Sequence, residues 1–354
     1  MLKSHSLPNS TAISDLLEHV VCDYCGHDDA VSLGHLPPKQ NITVPMHRMG
    51  VAALDFDTQE ISFVKCRQCG LIYMNPRMTD QAIQRFYDTV YAIPGASTQF
   101  ESHQQERANY ILDTTDAFLN VSKPMLLDIG CGGGQLLKIA QQRGWEVAGS
   151  ELSSVAAESA SQALGIPIFH GDFRDMTPAE YDVITMKSVV EHLCEPMNYL
   201  QAAVDLLKPG GVIFFNVPNY NSWERRFAQS TKQLWRGFII EHLYYFTPSL
   251  IRQFANALEV DVVRMNSWVN NLTYPNPLAP LFTRSKTVNI TASSDQNIQS
   301  HIQPEPVTLP QRMLRYSNQL ILDTIATASN GRESDNKCNG NALFVWLQKP
   351  HQPL

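Results

Sequence analysis

Residues 126–134 read Leu126-Leu127-Asp128-Ile129-Gly130-Cys131-Gly132-Gly133-Gly134, and they decide the fold of this 354-residue chain. The first four have the character of a short buried strand, and residues 135–140, after the glycines, have helical character. Glycine suits the turn between them because it takes positive φ and lets a ligand touch the backbone. The stretch therefore predicts an α/β fold that binds a nucleoside-bearing ligand at this turn.

The spacing of the glycines indicates which ligand. A dinucleotide fingerprint has the form G-x-G-x-x-G/A, but counting from Gly130 its last position falls on Gln135. Gly130, Gly132 and Gly134 instead fit D-x-G-x-G-x-G, with Asp128 as the acid. This pattern resembles motif I of class I S-adenosylmethionine-dependent methyltransferases. A dehydrogenase is therefore the weakest alternative.

Further segments resemble the later landmarks of that family, in the family's order. Alone, each has a plainer interpretation as a tight turn or a capped strand end, so the prediction depends on the whole series. The resemblance implies a Rossmann-like seven-stranded sheet. The segments that match its second to seventh strands are residues 145–151, 166–169, 181–186, 206–215, 260–265 and 341–347.

The same resemblance implies the cofactor site. Glu151, at the end of the second strand, would accept both ribose hydroxyls, and Asp172 would accept from the exocyclic amine of adenine with Phe173 beside the ring. Lys187 is not the family's usual residue after the fourth strand, which leaves its role and that of Ser188 open. The expected cofactor residues are Asp128, Gly130, Cys131, Gly132, Gly134, Glu151, Leu152, Asp172, Phe173, Lys187 and Ser188.

Four of the seven cysteines form two C-x-x-C pairs, Cys22 with Cys25 and Cys66 with Cys69, and a glycine follows each pair. Two such knuckles can present four thiolates to a tetrahedral zinc ion. The alternatives are disulfides, which a reducing cytosol disfavours, and a redox dithiol, for which a thioredoxin-like context is missing. Four cysteine ligands leave no open position for water, so the expected zinc is structural.

The segment after the second pair supports this module. Residues 66–77 resemble the C-x-x-C-G-hydrophobic-x-x-N-P-R segment that precedes many bacterial small-molecule and glycan methyltransferases. The resemblance implies a small N-terminal zinc knuckle domain. The expected domains are residues 1–90 for zinc binding, 91–270 for the methyltransferase core, 271–340 for a lid or insertion with one helix, and 341–354 for the last strand and tail.

Two histidines are candidates for a catalytic base. His192 follows the fourth strand and resembles the E-H-L/V segment of quinone-biosynthesis O-methyltransferases, and His242 lies in a segment that resembles H-L-x-x-F-T of related glycan enzymes. Both should lie at the carboxyl edge of the sheet, where ligands bind. A structural role, as a hydrogen-bonded turn residue or a loop anchor, is the alternative for each. We slightly favour His242.

Composition limits the classes of partner. The net charge of −7 gives no general attraction to phosphate backbones, so nucleic acid is a disfavoured partner. Residues 1–14 lack the apolar core of a signal peptide, and no apolar run approaches the ~20 residues that span a bilayer. We expect a cytoplasmic protein, with only peripheral membrane contact left open.

The sequence thus predicts a methyltransferase that acts on a small metabolite, a sugar or a lipid-linked intermediate, most readily at oxygen. The alternatives are an RNA methyltransferase that binds nucleic acid with its zinc module, and a non-catalytic scaffold that binds the cofactor. Residues 285–310 predict a mobile lid or a disordered segment, and residues 314–328 predict a helix. The acceptor, the methylated atom and the oligomeric state are not predicted.

Overall fold

The computed structural model describes residues 16–36, 61–91, 101–232, 234–235, 237–268 and 340–351. The lid or disordered segment expected at residues 285–310 and the helix expected at 314–328 lie outside these residues. Within the described residues, no helix has the length and apolar character needed to cross a membrane.

Five short strands and one helix form the N-terminal part, which we call the cysteine module (described residues 16–36 and 61–91). The elements are β1 (Leu17–Glu18), β2 (Ala30–Leu36), β3 (Ile61–Cys66), β4 (Ile72–Met74), β5 (Arg77–Met78) and α1 (Asp80–Tyr91). Strands β2, β3 and β4 form an antiparallel ladder, and β1 pairs with β5. The cysteine pairs lie just before β2 and at the β3–β4 turn.

The remaining elements alternate between strands and helices, as expected of an α/β fold. In chain order they are α2 (Glu101–Asp116), β6 (Met125–Ile129), α3 (Gln135–Gln142), β7 (Glu146–Glu151), α4 (Ser154–Leu164), β8 (Phe169–His170), β9 (Tyr181–Lys187), α5 (Pro196–Asp205), β10 (Leu207–Pro218), α6 (Trp223–Ser230), β11 (Tyr244–Tyr245), α7 (Pro248–Ala257), β12 (Asp261–Trp268) and β13 (Ala342–Gln348).

Seven of these strands form one sheet in the order β12-β13-β10-β9-β6-β7-β8. Five neighbouring strands are parallel, namely β8, β7, β6, β9 and β10. Strand β13 runs antiparallel between β10 and β12. The central strands β9 and β10 are buried almost throughout, because helices cover both faces of a parallel sheet. This architecture confirms the predicted seven-stranded Rossmann-like sheet.

The third strand of the family pattern departs from the prediction. It was expected at residues 166–169, but the structure has only Phe169–His170 there, paired with the end of β7. Pro167 has no amide hydrogen to give to a ladder, and the amide of Ile168 donates to Ser161 Oγ instead. Pairing therefore starts only after these residues.

The cysteine module is joined to the rest of the chain by a strand pair, and it shares a hydrophobic core with the large sheet. Strand β11, which follows β10 and α6 in the chain, pairs antiparallel with β4, so that Tyr244 lies opposite Tyr73. One cluster of buried side chains includes Phe63 of the module as well as Ile184 and Phe215 of the large sheet. The module therefore packs as part of the same hydrophobic core.

Candidate functional site

The glycine turn after β6 is shaped by close contacts. Gly130 has φ of 69°, and a Cβ on it would lie 2.7 Å from Val189 Cγ2. Gly134 has φ of 76°, and a Cβ there would lie 2.9 Å from Leu164 Cδ1. Gly130 thus lets the turn approach the segment after β9, and Gly134 lets α3 pack on α4.

Asp128 lies buried beneath this turn. Its Oδ1 accepts a hydrogen bond from Thr185 Oγ1 at 2.6 Å. Burial raises the pKa of the Asp128 carboxyl to about 6, although the bond from Thr185 and the nearby charge of Lys187 lower it. Burial lowers the pKa of Lys187, and the charge of Asp128 opposes that shift. Both charges also act on the Cys131 thiol, so the three groups lie close together behind the turn.

Arg107 on α2, which the sequence did not predict as a site residue, adds a second cation to this region. Its charge lowers the pKa of Lys187, and its own pKa is lowered by burial. Its Nε is buried without a hydrogen-bond partner. A guanidinium with unmet hydrogen-bonding capacity at a buried nitrogen is suited to an anionic group of a ligand.

Glu151, at the end of β7, is buried and ties the strand to the glycine turn. Its Oε2 accepts from the amide of Gly132 at 2.8 Å, and its Oε1 accepts from the amide of Ser153 at 2.9 Å. Each carboxylate oxygen has further lone pairs. The carboxylate is therefore held in place and can still accept from ligand hydroxyls.

Asp172 is heavily engaged within the protein. Arg174 donates to both of its carboxylate oxygens, at 3.1 Å and 2.6 Å, and Tyr199 donates its hydroxyl at 2.6 Å. The Arg174 guanidinium also lies 3.8 Å from the centroid of the Tyr199 ring. Burial raises the pKa of the Asp172 carboxyl, but these hydrogen bonds outweigh burial and hold the pKa below its usual range. A ligand that uses Asp172 would compete with these donors.

A cavity of about 360 Å³ opens at the carboxyl ends of β6, β7 and β9. It brings together seven of the predicted site residues: Gly130, Glu151, Leu152, Asp172, Phe173, Ser188 and His192. Other predicted residues are not part of its wall as the structure stands: Asp128, Cys131, Gly132, Gly134, Lys187 and His242. They lie behind the wall or in the turn that supports it.

The opposite wall contains residues that were not predicted from the sequence. Asp80, Ile83 and Gln84 come from α1, which belongs to the cysteine module, and Tyr199 comes from α5. The amphipathic character of α1 was visible in the sequence, but its partner was not. A nucleoside-sized cavity thus lies between the large sheet and the cysteine module.

The two candidate histidines are neighbours, with ring centroids 4.9 Å apart. His192 ends a short 3₁₀ turn after β9, and its Nδ1 lies 2.5 Å from the carbonyl oxygen of Glu241. Glu191 is buried, and its Oε1 lies 3.9 Å from His192 Nε2. Burial raises the pKa of the Glu191 carboxyl to about 8. His192 therefore meets the cavity on one side and a buried carboxyl on another.

The four knuckle cysteines converge, as the sequence predicts. Cys22 Sγ lies 3.4 Å from Cys69 Sγ, Cys25 Sγ lies 3.5 Å from Cys66 Sγ, and all four lie within 4.8 Å of one another. These separations far exceed a disulfide bond of about 2.05 Å and bracket the ~3.8 Å edge of a tetrahedron with Zn–S bonds of about 2.3 Å. The donor set and its geometry fit a zinc ion.

The two knuckles also share one backbone pattern. The amide of Gly26 donates to the carbonyl of Cys22, and the amide of Gly70 donates to that of Cys66. Both glycines have positive φ, 72° and 84°. Burial raises the pKa of the Cys66 thiol, but backbone donors including the amide of Cys69 bring the pKa down to about 7. Burial raises the pKa of Cys22 and raises that of Cys69 to about 11. Of these three, Cys66 most readily forms the thiolate that binds metal.

Comparison with known proteins agrees with this geometry. A family model described as a methyltransferase domain matches residues 102–264. The ubiquinone biosynthesis O-methyltransferase of Azoarcus sp. (strain BH72) is 25% identical over 229 residues, which are 61% of this chain and 96% of that protein. The protein of the same name from Saccharophagus degradans is 36% identical over 130 residues, 34% of this chain and 53% of its own.

Among solved structures, magnesium protoporphyrin IX methyltransferase from Synechocystis PCC 6803 with bound SAH is 18% identical, with a TM-score of 0.40. The match covers 48% of this chain and 79% of that chain.

Proposed function

We propose that this chain, which belongs to the class I S-adenosylmethionine-dependent methyltransferases, transfers a methyl group to an oxygen of a small metabolite, a sugar or a lipid-linked intermediate. One observation carries the proposal: Glu151, Asp172, Phe173 and His192 line a single cavity at the carboxyl edge of the sheet. A cofactor anchor and a candidate base therefore face the same space. The relatives named as O-methyltransferases support oxygen as the acceptor atom.

The cofactor would lie across the carboxyl ends of β6 and β7. Glu151 would accept from the ribose hydroxyls with the lone pairs that Gly132 and Ser153 leave available. Phe173 would lie beside the adenine ring, and Asp172 would take the exocyclic amine after it releases one of its internal donors. Arg107, whose Nε has no hydrogen-bond partner, and the nearby Lys187 would be the cations available to the methionine carboxylate.

The bound cofactor supplies a methyl group that its positively charged sulfur already activates. The protein must then place the acceptor hydroxyl in line and remove its proton. We assign the proton to His192 Nε2, because His192 lines the cavity and its Nδ1 donates to the carbonyl of Glu241. His242, which the sequence slightly favours, lies behind His192 and would support its ring. As the oxygen–methyl bond formed and the sulfur–methyl bond broke to leave a neutral thioether, the hydroxyl proton would pass to Nε2.

We further propose that Cys22, Cys25, Cys66 and Cys69 hold one structural zinc ion. The convergence of four thiols and the matched backbone turns of the two knuckles support this assignment. Four protein ligands would close the coordination sphere. The ion would therefore hold the module together and take no part in methyl transfer.

The test is calorimetric titration of the purified, zinc-replete chain with S-adenosylmethionine and separately with NAD. Glu151→Ala removes the expected ribose acceptor, and Glu146→Ala, an exposed residue at the other end of β7, is the matched control. We expect micromolar binding of S-adenosylmethionine by wild type and by the control, with binding lost in Glu151→Ala and none of NAD. Equal binding by all three proteins would refute the proposed site.

Acceptor class is then tested by transfer of labelled methyl groups from S-adenosylmethionine. Phenolic metabolites, sugars and lipid-linked sugars form one set, and total RNA forms the other. Labelling of a small hydroxyl compound, lost in His192→Gln, supports the proposal. Labelling confined to RNA would replace it with a nucleic-acid methyltransferase, and cofactor binding without any transfer would favour a non-catalytic role.

A further inference from the structure

The wall that carries His192 is bonded to the cysteine module through one backbone segment, residues 241–245. Strand β11 of this segment pairs with β4, and the amide of Met74 donates to the carbonyl of Leu243 at 2.9 Å. The amide of Leu243 in turn donates to the carbonyl of Glu191 at 2.8 Å. Residue 243 thus connects strand β4 of the module to the turn that holds His192.

The same segment holds the His192 ring. The carbonyl oxygen of Glu241 lies 2.5 Å from His192 Nδ1. A carbonyl oxygen can only accept, so Nδ1 carries a proton, and in the neutral ring Nε2 then has the lone pair. The tautomer of His192 therefore depends on where residues 241–243 are held.

A second connection runs through side chains. Arg77, which begins β5 of the module, donates to the hydroxyl of Tyr244 at 2.7 Å and to the carbonyl oxygen of Cys194. The Tyr244 hydroxyl donates to that same carbonyl at 2.8 Å. Cys194 lies two residues after His192 and lines the cavity. Arg77 and Tyr244 thus both donate a hydrogen bond to the carbonyl oxygen of Cys194.

These contacts are shielded from water. Tyr244 is 1% exposed, Cys194 is 5% exposed, and the Arg77 side chain is 11% exposed. Glu18 on β1 accepts from Arg77 Nε at 2.9 Å and so orients the guanidinium. Hydrogen bonds of charged groups in such surroundings are stronger and more directional than those in water. The arrangement can therefore fix the position of the carbonyl.

We propose that Arg77 and Tyr244 are positioning residues, through which the cysteine module sets the place and the tautomer of His192 and completes the cofactor cavity. Helix α1 begins three residues after Arg77 and contributes Asp80 and Ile83 to the cavity wall. The connection through Arg77 and Tyr244 thus orients both the cavity wall that carries His192 and the wall formed by α1. The catalytic consequence rests on the proposed role of His192, whereas the positioning itself does not.

The test compares two tyrosines that face each other in the β4–β11 pair. Tyr244→Phe removes the hydroxyl that binds Cys194, and Tyr73→Phe removes a buried hydroxyl that has no hydrogen-bond partner. Both variants lose one oxygen from the same buried layer, so their packing cost is matched. The measurements are the imidazole ¹⁵N shifts of His192, assigned by their loss in His192→Gln, and the Kd for S-adenosylhomocysteine.

We expect wild type and Tyr73→Phe to show His192 in the Nδ1–H form with the same Kd. In Tyr244→Phe the ¹⁵N shifts should move toward the average of the two tautomers, and binding should weaken about fivefold, the effect of losing one buried hydrogen bond. Arg77→Lys, which keeps the charge but loses the paired donors, should act in the same direction. It provides the test if Tyr244→Phe does not fold.

Failure of the positioning role can be distinguished from failure of the proposed function. If a folded Tyr244→Phe or Arg77→Lys keeps wild-type ¹⁵N shifts and the wild-type Kd, the positioning role is overturned. If wild type itself does not bind S-adenosylhomocysteine, the proposed function fails, and the ¹⁵N shifts alone still decide the positioning role.

Discussion

His192 Nδ1 lies 2.5 Å from the carbonyl oxygen of Glu241, although 49 residues separate the two in the chain. The carbonyl can only accept, so the contact selects the His192 tautomer with its lone pair on Nε2. That is the form a general base needs. The contact joins the turn after β9 to the segment that pairs with the cysteine module.

Replacing His192 by Gln should lower kcat for an oxygen acceptor by about 10²- to 10⁴-fold, the usual contribution of a general base. The Kd for S-adenosylmethionine should change much less, because the substitution removes the group that accepts the hydroxyl proton and leaves the proposed cofactor contacts in place. Single-turnover methyl transfer measures the first quantity and calorimetry the second. His242→Gln is the comparison, and a larger loss of kcat there than in His192→Gln would make His242 the base.

Removing the Glu191 carboxyl should change how stability depends on pH. Burial raises the pKa of Glu191 to about 8 in the folded protein, above its value of about 4.5 in the unfolded chain. The folded state therefore holds a proton that the unfolded state releases, and this stabilisation is complete below pH ~4.5 and is lost as pH rises toward 8. Glu191→Gln should lack this loss.

Urea unfolding at pH 5, 6.5 and 8 tests the prediction. The difference between wild type and Glu191→Gln should change by at most about 1.4 kcal/mol per pH unit, in favour of the variant at high pH. Glu180→Gln, an exposed carboxyl near β9, is the control and should follow wild type. If the free energies of unfolding of wild type and Glu191→Gln changed with pH by the same amount, a raised pKa of Glu191 would be contradicted.

Loss of metal should unfold the cysteine module. Wild type should contain one zinc ion per chain by elemental analysis, and Cys66→Ser should contain markedly less. The variant should lose about 5 kcal/mol or more of stability, because a structural zinc ion contributes its binding free energy to folding. Arg67→Ala removes only an exposed pair with Asp29 in the same knuckle and should keep both zinc and stability. A zinc-free but fully stable wild type would exclude the metal.

Tyr199→Phe should strengthen binding of S-adenosylhomocysteine. The Tyr199 hydroxyl takes one acceptor position of Asp172 at 2.6 Å, and the variant leaves that position to the adenine amine. The expected gain is about fivefold, while the ring under the Arg174 guanidinium is kept. S-inosylhomocysteine lacks the amine and should show no gain. Weaker binding of both ligands would mean that Tyr199 supports the cavity and does not compete for Asp172.

Much of the fold was predictable because its signals are local. The glycine spacing at residues 130–134, the apolar segments that became the seven strands of the large sheet and the two C-x-x-C pairs are all short-range patterns. The exception was β8, where Pro167 and the bond from Ile168 to Ser161 shifted the pairing. A hydrogen-bond partner outside the strand is not visible in a run of apolar residues.

The site was predicted residue by residue but not as an arrangement. The family resemblance and their places after strands implied Glu151, Asp172 and His192, and these residues do line one cavity. Their present partners were not foreseen: Asp172 is held by Arg174 and Tyr199, and His192 by the carbonyl of Glu241. These contacts depend on distances that only the folded chain determines.

By itself the sequence determined the alternation of strands and helices, the glycine turn and the presence of two cysteine knuckles, because periodicity and spacing act within a few residues. Only the tertiary structure decided that α1 forms a wall of the cavity and that β11 joins the cysteine module. It also decided that His192, and not His242, meets the cavity. The reason is physical: each of these features is a contact between residues far apart in the chain, and such contacts form when the shared hydrophobic core packs.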